Sequence, residues 1–295
     1  MLRRLLVALP VLGLVVALAA CAPPTDPSTD GELRIVASTN VYGDLAATIA
    51  GPDAVVTSII DDPAADPHGF EANPRVQLDL AKADLVIANG GGYDDFVDEM
   101  LEASGNTTAV VLHAVDFSGT DPTAEGFNEH VWYLYGAMLN LTGAIGEALD
   151  GIVEDADRAS RVSALERDIT GLAEQASTIA LEHAGEGYIV TEPVPEYLLG
   201  AAGLTNLTPP EFTEAIEEDT DVAPALLQDV LNRIPEAAVV VVNGQTGGPQ
   251  TDAVIEMAGN SRVPWFEVTE TLPDGLHYVA WQAGLLDLLQ DSLSR

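Results

Sequence analysis

The stretch NPRVQLDLAKADLVIANGGGYDDFVDEMLEAS, residues 73–104, packs a helix signal, a strand signal and a second helix signal into 32 residues. Asn73 can cap the first helix, and Pro74 suits its first turn, where no backbone donor is needed. ADLVIANG (83–90) is a short, β-branched apolar run bounded by turn residues, which marks a strand. YDDFVDEMLEAS then resumes a helical pattern. Strand alternating with helix predicts a parallel sheet covered by helices. The pattern extends outward from here. LRIVAS (33–38), AVVTSII (54–60) and TTAVVLHA (107–114) are further strands, and VYGDLAATIAG is a helix ending on a capping Gly51.

A second set follows downstream. GYIVTE (187–192), AAVVVVNG (237–244) and VPWFEVTE (263–270) are expected strands. TPPEFTEAIEE, with Thr208 as its expected cap, PALLQDVLNRI and HYVAWQAGLLDLLQDSL are expected helices. Between the two sets, Val162, Leu165, Ile169, Leu172, Ala176 and Ile179 recur at spacings of 3, 4, 3, 4 and 3. That is one face of a helix. No proline interrupts 155–184, so a single helix of about 45 Å is available to join the halves. The expected fold class is α/β: two lobes with parallel sheets, 33–150 and 186–295, joined by one long linker helix within 151–185.

The first residues carry a different signal. MLRR is a short basic start, LLVALPVLGLVVALAA an apolar run, and Cys21 follows. The run is short for a membrane span and fits an export signal. LAAC (18–21) resembles the bacterial lipobox, so 1–20 is an expected lipoprotein signal peptide and Cys21 the lipidated residue. APPTDPSTDGE has nothing to bury and is expected to serve as a flexible tether over 21–32. The expected location is outside the cell membrane, on its outer face. Cys21 is the only cysteine, which removes disulfides and thiolate metal sites.

Composition excludes other classes. With 47% hydrophobic residues in 295, the chain can bury a full core. Its formal charge is −36, and Lys82 is its one lysine, so no basic stripe exists to bind nucleic acid.

The apolar runs at 187 and 263 both end on Val-Thr-Glu, placing Glu192 and Glu270 78 residues apart at the ends of two strands. A carboxylate is costly at a buried sheet end unless something positive meets it. Ligands in open α/β sheets bind beyond the carboxyl ends of the strands. Four residues lie where that rule wants them: Glu192, Glu270, His68 in DDPAADPHGFEANP, and His130 in FNEHVWY. Two neutral imidazoles and two carboxylates suit a divalent first-row ion. The remaining histidines have ordinary readings. His113 ends a strand, His183 lies at the end of the long helix, and His277 opens the last one.

These same residues carry a resemblance. ADPHGFEANPRVQLDLAKADLVIANGGGYDDF is similar to the signature of the metal-binding lipoproteins of manganese, zinc and iron ABC importers, a family that includes the metal-binding adhesins. NEHVWY resembles its DPHVW element, and YIVTEPVPEYLLGAAGL and VTETL fall on its third and fourth ligand segments. The resemblance covers about 33–295 and implies a metal buried between the lobes, held by His68, His130, Glu192 and Glu270. It also implies a non-enzymatic, monomeric carrier with an ABC permease and its cytoplasmic ATPase as partners. Asn128-Glu129 stands where the family has Asp-Pro, and Glu270 where Asp is usual. Glu at the third position is the choice of the family's manganese and iron binders. The loop DFSGTDPTAEGFNE lacks the histidines that many zinc binders carry. Mn²⁺ is therefore the expected cargo, ahead of Zn²⁺ and Fe²⁺. Two other classes compete: a metal-dependent hydrolase, which would need an open coordination position, and the same fold carrying an organic metal chelate. No feature of the sequence marks an adhesive surface.

Overall fold

The computed structural model describes residues 32–62, 70 and 73–295. The expected signal peptide, the expected lipidation site Cys21, nearly all of the expected tether and His68 lie outside the described residues.

Period-two alternation builds two parallel sheets. In the first, β1 (Leu33–Thr39), β2 (Ala54–Ile60), β3 (Leu85–Ala88) and β4 (Val110–His113) are ordered β2-β1-β3-β4. In the second, β5 (Gly187–Val190), β6 (Thr205–Asn206), β7 (Val239–Asn243) and β8 (Trp265–Val268) are ordered β6-β5-β7-β8. All neighbours run parallel. Central strands buried on both faces explain the near-continuous apolar runs. Ile35, Ala37, Leu85 and Ile87 face one core, while Val36, Val86 and Ala88 face another. Tyr188, Val190, Val239 and Val241 face that first core too, and Ile189, Val240 and Val242 a third.

The shared core lies between the sheets. It is filled from α1 (Asn40–Ala50), α4 (Tyr135–Ile152), α5 (Arg158–His183) and α10 (Tyr278–Leu293). The outer faces are covered by α2 (Pro74–Leu80) and α3 (Phe96–Ser104) on the first sheet. On the second they are covered by α7 (Pro210–Glu217), α8 (Pro224–Arg233) and α9 (Pro249–Ser261). The short α6 (Glu196–Ala201) follows β5.

The helix joining the halves is α5, and the stripe from Leu165 to Ile179 is its buried face. It is 26 residues long, about 39 Å. Asn73 caps α2 as expected, accepting from the Arg75 N–H at 3.0 Å. Thr208 does not cap α7, which begins two residues later. Its hydroxyl accepts the Val190 N–H at 2.9 Å instead, closing the end of β5 where β6 is only two residues long. Among the described residues no helix is long and apolar enough to cross a membrane.

Candidate metal centre

The fold-deciding stretch also shapes one wall of the site. Gly90, Gly91 and Gly92 follow β3 with φ of 77°, 70° and 96°, a conformation that favours glycine. A Cβ on Gly90 would lie 2.9 Å from the Val115 side chain. The turn is pinned by Asp94, whose carboxylate accepts the N–H groups of Asn89 and Gly90 at 2.6 and 2.7 Å. Asn89, fully buried, also accepts the Tyr42 hydroxyl and donates to the Glu129 carbonyl at 3.0 Å. The turn thereby fixes the backbone one residue ahead of His130.

His130 is fully buried, edge-on to Tyr93 and Trp132. Asn128 sets its tautomer. The Asn128 amide nitrogen donates to the Pro193 carbonyl at 2.9 Å, which turns Oδ1 toward the histidine. There Oδ1 accepts both the His130 backbone N–H at 2.9 Å and the ring Nδ1–H at 2.8 Å. With Nδ1 protonated, Nε2 of the neutral ring keeps its lone pair and is the nitrogen available to a metal. Asn128 thus orients the ring as a carboxylate would, and its amide nitrogen also ties this loop to the second lobe. Tyr197 adds a second tie, donating to the Asn128 carbonyl at 2.8 Å.

Strand register brings the two Val-Thr-Glu endings together. Val190 pairs with Val241, so Glu192, two residues on, comes level with Asn243. Asn243 pairs with Val268, so Glu270 comes level with Gln245. Because β7 lies between β5 and β8, Asn243 at its end reaches both acids. Its Nδ2 donates to Glu192 at 2.8 Å and to Glu270 at 2.9 Å. Thr246 donates a further bond to Glu192, and Gln245 Oε1 accepts the Glu270 N–H. Glu192 and Glu270 are almost wholly buried. The donors that reach them from β7 and its loop are neutral and bring no positive charge.

His130 Nε2 faces Glu270 at 3.9 Å. It lies closer, at 3.4 Å, to a residue the sequence did not single out, Glu217 at the end of α7. Glu129, His130 and Glu217 place ligand atoms within 4.8 Å of one another. The site therefore gathers four carboxylates around one described imidazole, more than the two expected. Glu217 shows the strain of that crowding: burial first, then the charges of Glu129, Glu192, Glu270 and Glu196, push its carboxyl up to about 9.

This shift sets a pH dependence. The folded chain holds the Glu217 proton more tightly than the unfolded chain, whose carboxyl titrates near 4.5. The metal-free protein is expected to lose stability as pH rises from the unfolded value toward the folded one. Thermal melts across about pH 5 to 9 check this, and Glu217→Gln should flatten the decline.

The other described histidines are paired away from the site. His113 meets Asp98 at 2.9 Å, His183 meets Glu186 at 3.1 Å, and His277 meets Asp44 at 2.6 Å.

Residues 35–292 match the family model of ZnuA, zinc-uptake complex component A, periplasmic. The chain belongs to the ZnuA family. It is a family of solute-binding proteins rather than of enzymes. Among individual relatives, the manganese-binding lipoprotein MntA of Bacillus subtilis is 30% identical over 128 residues, 42% of each chain. The iron-binding protein YfeA of Yersinia pestis is 28% identical over 100 residues, 34% of this chain and 32% of YfeA. The matched stretches thus span about two fifths or less of these relatives. The periplasmic zinc-binding protein TroA of Treponema pallidum superposes with a TM-score of 0.73 at 16% identity, covering 90% of this chain and all of TroA. That likeness shows that the ZnuA-family chain has the two-lobe fold.

Proposed function

We propose that this ZnuA-family chain is a lipid-anchored carrier that captures a divalent transition metal outside the membrane and delivers it to an ABC permease driven by a cytoplasmic ATPase. The proposed ligands are His68, His130, Glu192 and Glu270, with Cys21 as the lipidated residue. One observation carries the reading. A buried imidazole, with its tautomer fixed by Asn128, turns its lone pair toward buried carboxylates from the second lobe. A divalent ion supplies the positive charge that such a cluster needs.

Mn²⁺ is the proposed ion, with Zn²⁺ and Fe²⁺ next. Carboxylate-rich sites favour manganese, whereas zinc is best served by four-fold sites rich in nitrogen or sulfur. Manganese is the ion of the MntA relative and iron that of YfeA. Calorimetric titration of the purified protein with Mn²⁺ is expected to give one tight site per chain, and His68→Ala is expected to abolish it. Unchanged stoichiometry and affinity in His68→Ala would remove that residue from the ligand set. Absence of tight binding for every divalent ion tried would overturn the carrier reading.

A further inference from the structure

We infer that Glu217 is an additional ligand of the captured ion, contributed by α7 and exposed on its other side to an acidic entry cavity. The inference rests on the proposed metal site but adds a donor that the Val-Thr-Glu endings and the two histidine motifs do not supply.

Helix α7 explains why the residue is there. Its inward face runs Phe212, Thr213, Ile216 and Glu217, with Phe212 and Thr213 buried against the outer core. Glu217 is the next step of that stripe, so the helix turns an acid where another apolar residue would pack. A helix C-terminus is itself partly negative and disfavours a carboxylate. The arrangement is favourable once a cation lies beyond the helix end.

The helix end is also well fixed. Asp219 adopts a left-handed conformation, φ 49°, and its N–H bonds the Ile216 carbonyl at 3.1 Å. The Thr220 N–H bonds the Ala215 carbonyl at 2.9 Å. This pair of bonds is a Schellman closure, which sets the direction of the last helical residue. That residue is Glu217, and one of its oxygens faces His130 Nε2 at 3.4 Å. An ion bound at Nε2 would therefore lie within reach of this carboxylate.

The opposite side of Glu217 opens on a cavity of about 510 Å³ between the end of α7 and the loop after β7, lined also by Asp219, Asp221, Gln245 and Thr246. Thr246 bonds Glu192, so the cavity borders the centre at two points. An ion arriving through it meets Glu217 before the buried groups.

The test compares Glu217→Gln with Glu218→Gln, which removes the same charge from the exposed neighbour. Mn²⁺ affinity is measured by competition with a chelating dye, and Mn-edge X-ray absorption counts the oxygen and nitrogen donors. Glu217→Gln is expected to weaken Mn²⁺ binding on the order of 10- to 100-fold and to change the donor shell. Glu218→Gln should leave both within experimental error. Equal effects of the two variants, or an unchanged affinity and donor shell in Glu217→Gln, would overturn the inference while leaving the carrier reading intact. A parent protein that binds no divalent ion would overturn both. If Glu217→Gln does not fold, Glu217→Asp replaces it. The shorter acid keeps the charge and withdraws the oxygens, so it should weaken binding, and parent-like affinity would overturn the inference.

Discussion

Replacing His130 with alanine is expected to erase metal-induced stabilisation. In the parent, an ion at 100 times its dissociation constant adds about 2.7 kcal/mol to the unfolding free energy. For a chain of this size that is a rise of about 5–10 °C in the melting midpoint. Removing a partner that only orients a ligand already costs about 10- to 100-fold in affinity. Removing a directly ligating nitrogen should cost more, roughly a thousandfold by extension. At the same free ion concentration the site would then be about one-tenth saturated, and stabilisation would fall below about 0.1 kcal/mol. Melts with and without Mn²⁺ read this directly. His130→Ala also leaves a void beside Tyr93 and Trp132, so the metal-free variant should melt below the metal-free parent. The two effects separate because only the second is present without metal. A variant that keeps the parent's metal-induced shift would show that His130 is a packing residue.

Much of this architecture is legible before any coordinates. The alternation around 73–104 and the stripe from Leu165 to Ile179 depend on local periodicity, and both are observed. Glu192 and Glu270 could be picked out because they end apolar runs, where parallel sheets place their ligands. Glu217 could not be found that way. An acid in a helix reads as a solvated face, and its inward position shows only when Phe212, Thr213 and Ile216 are recognised as the buried stripe. Asn243 is hidden for another reason. As VVVVNG it reads as a strand meeting a turn, and its role depends on β7 lying between β5 and β8, a matter of sheet order that no local pattern encodes. Thr208 illustrates the converse error. Its place before two prolines makes it look like a cap, but a backbone donor at the end of β5 competes for its hydroxyl and wins. The bland readings of His113, His183 and His277 fit their carboxylate partners outside the centre.

Sheet order also makes Asn243 the residue whose loss should damage folding and binding together. Its single amide nitrogen bonds two buried carboxylates from neighbouring strands. Its own N–H bonds Thr191 Oγ1 at 3.1 Å, and its Oδ1 accepts the Gln245 N–H at 3.0 Å. Asn243→Leu keeps the number and branching of the side-chain heavy atoms but removes the donor, leaving Glu192 and Glu270 each short of a hydrogen bond. A lost bond to a buried charged group costs about 1.5–3 kcal/mol, so the metal-free variant should lose about 3 kcal/mol or more. The two acids would also lose the one donor they share, and Mn²⁺ affinity should fall by about 10- to 100-fold. Saturating metal should therefore stabilise the variant by about 1.4–2.7 kcal/mol less than it stabilises the parent. Urea unfolding with and without Mn²⁺ distinguishes this from simple core damage. A packing defect would lower both midpoints equally. An orienting role predicts a larger deficit with the ion at saturation than without it, because the variant gains less from binding. Equal deficits would mean that Asn243 only fills space between the strands.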